Sequence, residues 1–343
     1  MPVKRRLKLI VLGGLKMVGM FRLARWLTRR RLRILCYHAI SVGDQHQYGP
    51  ILFMRESVFA SRVRLLERMR VRVVSLDDAV KSLQAGTISR AETVITIDDG
   101  WATTYTVAAP ILKRAGFPAT LYVASRYVEN PLDVYAVTVN YMVHASTEDR
   151  FALHGVHPAL DGEYQRRDNV DATVGRLIDA GEKYLSLEQQ QQMLPQLAAR
   201  LGIDFGRISQ DRGFRYMTPQ EAGSLEQFGI SAELHTHRHL MPTESLDALR
   251  TELDANREAI RRMTGTEAVH FCYPSGKYAS QHPAWLEACG VVSATTCEAG
   301  MNRPGTNPYL LRRHLDRDDA SDLEFEAEVS GIFELWRMAR GLD

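Results

Sequence analysis

Five short stretches carry the residue types that metal-assisted hydrolysis uses. Residues 96–101, TIDDGW, end an apolar run in two adjacent carboxylates, Asp98 and Asp99, and a glycine. Successive side chains of a strand face opposite ways, so both carboxylates serve one centre only where the strand turns. Gly100 permits that turn. Residues 235–239, HTHRH, follow the run Ile230–Leu234. One helical turn puts His235 and His239 on one face, able to grip one metal ion, and points His237 elsewhere. In FCYPSGKY (271–278), Pro274 and Gly276 impose a tight, open backbone that leaves the amides of Ser275 and Gly276 free to stabilise an oxyanion. LCYH (35–38) ends a further run in His38, and LLRRH (310–314) places His314 after another.

The elements that must position these residues alternate. Apolar, β-branched runs at 33–37, 71–75, 93–97, 119–124, 230–234, 269–273 and 291–295 read as strands, with helical patterns between them. The clearest helix follows Ser245, with Leu246, Leu249, Leu253, Asn256, Ile260 and Met263 at three- and four-residue steps and Gly265 as its stop. Alternation of this kind gives an α/β fold with parallel strands covered by helices. In a barrel the carboxyl ends of such strands converge on one face. Four of the motifs stand at strand ends, so ligands, a spare carboxylate and free amides assemble there. Residues 130–217 break the rhythm with two or three helices, one at 186–201, and read as an insertion. Residues 321–343 read as a terminal helix.

The motifs resemble the polysaccharide deacetylase family, carbohydrate esterase family 4. TIDDG is similar to its T-F-D-D-G motif, which implies a catalytic base at Asp98 and a metal ligand at Asp99. HTHRH is similar to H-[ST]-x-x-H, which implies ligands at His235 and His239. FCYPSG resembles the third motif, whose backbone, here at Ser275, helps hold the oxyanion. Many members carry an arginine there that tethers the base. The matching residue is Cys272, which leaves the orientation of Asp98 unexplained. The D-x-x-D-W motif is absent. The family's acid histidine stands in L-x-x-H. LRRH fits the usual order, and LCYH fits a circularly permuted exopolysaccharide-deacetylase subset, which favours His38.

The resemblance implies a distorted (β/α) barrel over 33–320 with the insertion at 130–217. It also implies a divalent ion such as Zn²⁺, and removal of an N-acetyl group from a saccharide. A same-fold hydrolase of another C–N bond, a deformylase or cyclic amidase, is the alternative, and so is an idle carbohydrate-binding protein.

Charge separates residues 1–32 from this body. Of the 43 Lys and Arg residues, 11 precede the first acid, Asp44, which leaves 32 basic against 41 acidic residues beyond it. A basic arm on an acidic body points to an anionic membrane surface and not to nucleic acid. The apolar run 9–21 is interrupted by Lys16 and is shorter than the roughly 20 residues a spanning helix needs. The expectation is an interfacial helix on a cytoplasmic protein at the inner face of the membrane, acting on a lipid-linked saccharide. An exported or anchored form stays open. Cys36, Cys272, Cys289 and Cys297 form no CxxC pair, which fits a reducing compartment.

Overall fold

The computed structural model describes residues 3–167 and 169–341. The outermost ends of the expected arm and tail, residues 1–2 and 342–343, lie outside the described residues. The principal sheet is parallel. Its strands are β1 (Leu32–Tyr37), β2 (Arg72–Val73), β3 (Glu92–Ile97), β4 (Ala119–Val123), β5 (Ile230–Leu234), β6 (His270–Cys272), β7 (Ser293–Thr295) and β8 (His314–Leu315). They lie in the order β7-β6-β5-β4-β3-β1-β8, with β2 also paired to β3. All six residues of β1 and all six of β3 are buried, as expected of strands covered on both faces.

The sheet curls nearly into a barrel. Leu311 bridges Thr295 at the end of β7, and three residues later His314 pairs with Leu35 of β1. One short run therefore spans the gap between the two sheet edges. Side chains alternate along it: Leu311 and Arg313 are fully buried, while Arg312 and His314 face outward. Of the charged residues that follow, Arg313, Asp316 and Asp318 are buried while Arg317 and Asp319 are exposed.

The insertion contains helices at Tyr135–Ala145, Val170–Tyr184, Leu187–Arg200 and Phe205–Asp211. It also holds an antiparallel pair, Arg150–Leu153 with Gly162–Gln165, which the sequence reading lacked. Phe151, Leu153, Leu177, Met193 and Leu197 share a core that reaches Phe53 and Trp101 of the barrel.

The arm is two helices, α1 (Val3–Met17) and α2 (Met20–Leu27), which meet at Gly19 in the left-handed region (φ 80°). Helix α3 (Leu246–Thr264) is the one that follows Ser245. The tail is likewise two helices, α4 (Asp322–Ser330) and α5 (Ile332–Ala339), where the sequence reading had one. Gly331 breaks it at φ 91°, and a Cβ there would lie 2.5 Å from the Thr28 hydroxyl, so the break lets the arm pack closely. Among the described residues no helix is long and apolar enough to cross a membrane.

Candidate active site

Asp98 extends the β3 ladder by one residue, its amide donating to Tyr37 O at 2.9 Å, so its side chain enters the barrel mouth. The chain reverses immediately afterwards. Asp99 has φ 77° and Gly100 φ 108°. The turn is therefore made at Asp99 itself as well as at the glycine, and it brings both carboxylates to one side. A Cβ on Gly100 would sit 2.9 Å from Val128, so a side chain is excluded there. The Trp101 indole N–H donates to Asp99 Oδ2 at 2.8 Å and leaves Oδ1 facing the histidines.

His235 and His239 converge without a helical turn. Residues 235–239 form an irregular loop after β5, with Thr236 at φ 59° and His239 at φ 58°. His235 Nε2 lies 3.3 Å and His239 Nε2 3.4 Å from Asp99 Oδ1. His235 Nδ1 is 2.8 Å from Cys272 O, an arrangement that turns Nε2 toward the carboxylate. Asn256 of α3 braces the loop: it accepts from the His235 amide and donates to Val123 O and Ser125. His237 Nδ1 sits 3.0 Å from the Ser125 hydroxyl, outside the trio.

The tether of Asp98 is Arg313, which the sequence reading missed. Its Nη1 and Nη2 donate to Asp98 Oδ1 and Oδ2 at 2.7 and 2.8 Å, a two-pronged pair with both partners buried. The guanidinium also packs 3.1 Å from the Cys272 sulfur. The small thiol at 272 leaves room for an arginine arriving from the run into β8. Burial works against the Asp98 charge, but Arg313, His38 and His235 prevail and hold its carboxyl down to about 2. Burial keeps the Cys36 and Cys272 thiols protonated, each 3.6 Å from Asp98 Oδ2.

The remaining candidates separate. His38, at the end of β1, has Nε2 3.7 Å from Asp98 Oδ2 and a partly open side chain. His314 points away, its Nδ1 3.7 Å from Glu328 on α4. Ser275 is exposed at φ 55°, and among the described residues its amide has no hydrogen-bond partner. The Gly276 amide is not free as expected, because it donates to Tyr273 O at 2.8 Å.

With this geometry in view, comparison with known proteins is decisive on family. The family model "Polysaccharide deacetylase" matches residues 86–294. The chain belongs to that family. No curated protein matches it. Solved structures similar to it include the Streptococcus pyogenes deacetylase PplD in complex with acetate, at 15% identity and TM-score 0.56, covering 90% of this chain and 98% of that one. Another is IcaB from Ammonifex degensii, at 17% and 0.56, covering 88% and 97%. A third is a de-N-acetylase from Aggregatibacter actinomycetemcomitans, at 15% and 0.54, covering 87% and 99%. At these identities the likeness is one of fold, and it bears out the deacetylase-type barrel.

Proposed function

We propose that this family member is a divalent-metal-dependent hydrolase that removes an N-acetyl group from a saccharide. One observation carries the reading: Asp98, pinned by Arg313, stands beside both His38 and the trio Asp99, His235 and His239. The trio's ligand atoms all lie within 4.8 Å of one another. The 3.3 and 3.4 Å edges at Asp99 Oδ1 suit ligands about 2.0–2.1 Å from one tetrahedral zinc ion. One carboxylate and two imidazoles form an oxygen–nitrogen donor set that zinc favours, and it leaves a position open. A bound ion would supply Lewis acidity, lowering the pKa of a bound water toward about 7.

The chain's own residues do the rest. Asp98, ionised over the physiological range, accepts a proton from the attacking water as its oxygen bonds to the acetamide carbon. The Ser275 amide donates to the developing oxyanion. His38 protonates the sugar nitrogen as the C–N bond breaks, which releases acetate and a free amine. Acetate is also what the PplD structure is described as holding.

Two clefts meet at His239. Tyr127, Asp133, Gln191, Tyr216 and Arg238 line one of about 470 Å³, while Leu240, Ser275 and Tyr278 line the other, of about 300 Å³. Trp101, Tyr216 and Tyr127 stack in series beside the first, with ring centroids 5.3 and 5.1 Å apart. Trp101 and Tyr216 are buried in this stack and Tyr127 is partly exposed, an aromatic group beside polar ones that suits a sugar ring, and two clefts suit more than one ring.

The deciding experiment incubates the protein with a panel of N-acetylated saccharides and measures acetate and free amine together. We expect both in equal amounts, loss of both on chelation, and recovery with Zn²⁺. Formate, or ring opening of a cyclic amide, would transfer the protein to another C–N hydrolase. Saccharide binding without turnover would make it a binding protein.

The acid is tested separately. His38→Ala is expected to retain metal and lose roughly 10²–10⁴-fold in rate, the scale of general acid–base catalysis. An aryl acetate, whose leaving group needs no proton, should recover much of the loss. His314→Ala, remote beside Glu328, should stay within a few-fold of the parent. The reverse pattern would move the acid to the chain's end.

A further inference from the structure

Helix α1 packs on the protein through a mixed face and turns an apolar one outward. Inward, Leu15 packs beside Leu12 against the cluster of Phe21 and Ala327, Arg5 and Lys8 each lie 3.0 Å from Glu324, and Lys16 pairs with Glu326, both acids on α4. Leu12 is the one α1 side chain fully buried there, against Phe21 and Ala327. Its outward face is apolar. Val3, Leu7, Ile10, Val11 and Met17 recur at helical spacing and are 82%, 62%, 71%, 53% and 86% exposed. In α2, Leu23, Trp26 and Leu27 are exposed while Phe21 and Ala24 are buried. Water gives no reason to hold such a stripe outward.

The charges around the stripe indicate what covers it. At 3.6 residues per turn, Lys4 falls on one flank of the α1 stripe and Arg6 on the other. Lys4, Arg6, Arg22 and Arg30 are exposed and, among the described residues, have no acidic partner, unlike Arg5, Lys8 and Lys16. Residues 1–43 hold no acid at all. Another copy of this surface would set like charges against each other, whereas an anionic lipid surface satisfies both the apolar face and its basic margins. Trp26, with Arg29 stacked 4.5 Å from its ring, has the amphipathic character of residues at the headgroup level.

We infer that α1 and α2 form a monotopic membrane-docking face, in which the outward apolar stripe enters an anionic lipid surface while the opposite face of α1 stays clamped to α4 by ion pairs. The arm then does not unfold from the body to bind. It is a rigid plate whose inward lysines and arginine hold it in the docked orientation.

The test uses the full chain with vesicles of phosphatidylcholine alone or mixed with phosphatidylglycerol, read by co-sedimentation. Binding is expected to the mixed vesicles, weakening as salt rises, and to be weak on the neutral ones. Ile10→Asp, on the solvent face, should abolish it. Lys4→Ser and Arg6→Ser should each lower it about fivefold. All three should keep the parent's thermal midpoint and hydrolytic rate on a soluble substrate, which separates this inference from the proposed chemistry. Equal binding to neutral vesicles, or full binding by Ile10→Asp, would overturn it. So would a stable dimer in solution that Ile10→Asp dissolves with no vesicle binding by the parent.

Discussion

Alanine at Asp99, His235 or His239 is expected to empty the metal site and abolish acetate release, while alanine at His237 leaves metal content near that of the parent. The trio shares Asp99 Oδ1 as a common vertex at 3.3 and 3.4 Å, so removing any member opens it. Lewis-acid stabilisation of several kcal/mol is at stake. That corresponds to about 10³-fold or more in rate. His237 is committed to Ser125, and its loss should perturb folding only mildly. Asp98→Asn is the sharpest control because it alters the neighbouring residue: metal should stay bound while the rate falls roughly 10²–10⁴-fold. Metal content by elemental analysis and acetate release, measured on the same samples, decide the matter. Metal lost from Asp98→Asn but kept by Asp99→Ala would exchange the roles of the two aspartates.

The second large effect is expected at Arg313. Arg313→Ala leaves the Asp98 carboxylate buried without its partner, a loss of about 3–5 kcal/mol for pairs of this kind. Burial then acts unopposed by the guanidinium and raises the carboxyl above its present value. In the parent, the Asp98 carboxyl, held down to about 2, is ionised throughout the physiological range. Its stabilising contribution is complete above the unfolded value of about 3.9 and is lost as pH falls through about 2. In the variant the acid limb of kcat/KM should move to higher pH, so that raising pH restores part of the activity. Arg313→Lys should recover some stability, because one charge remains, but less rate, because the two-pronged grip does not. An acid limb unchanged in Arg313→Ala would mean that something else sets the charge of Asp98.

Much of this was legible beforehand, and the failures have specific causes. Ile230–Leu234 was read to the residue because Ile230, Ala232 and Leu234 alternate with Ser231 and Glu233, the period-two pattern of a strand. Arg313 was missed because β8 has only two residues and two adjacent arginines suggest solvent. The period-two phase of Leu311 with Arg313 was the available clue, since it turns Arg313 inward and His314 outward. The histidine loop was misread as a helical turn because left-handed backbone at Thr236 and His239 leaves no trace when no glycine is used. The free Gly276 amide was an inference from composition, which does not show that Tyr273 O already takes that proton. The short pair at 150–153 and 162–165 offered too little alternation to distinguish it from loop.

Asp99, Thr236, His239 and Ser275 are four of the six non-glycine residues with positive φ among those described, and all four stand at the barrel mouth. For L-residues this conformation costs roughly 1–2 kcal/mol each. Native domains retain only about 5–15 kcal/mol in total. The mouth is therefore a local deficit in the folding free energy, underwritten by the dry core of β1 and β3 beneath it. Selection for robustness and selection for turnover pull in opposite directions at these four positions. A lineage relieved of its chemistry would gain stability fastest by letting them relax.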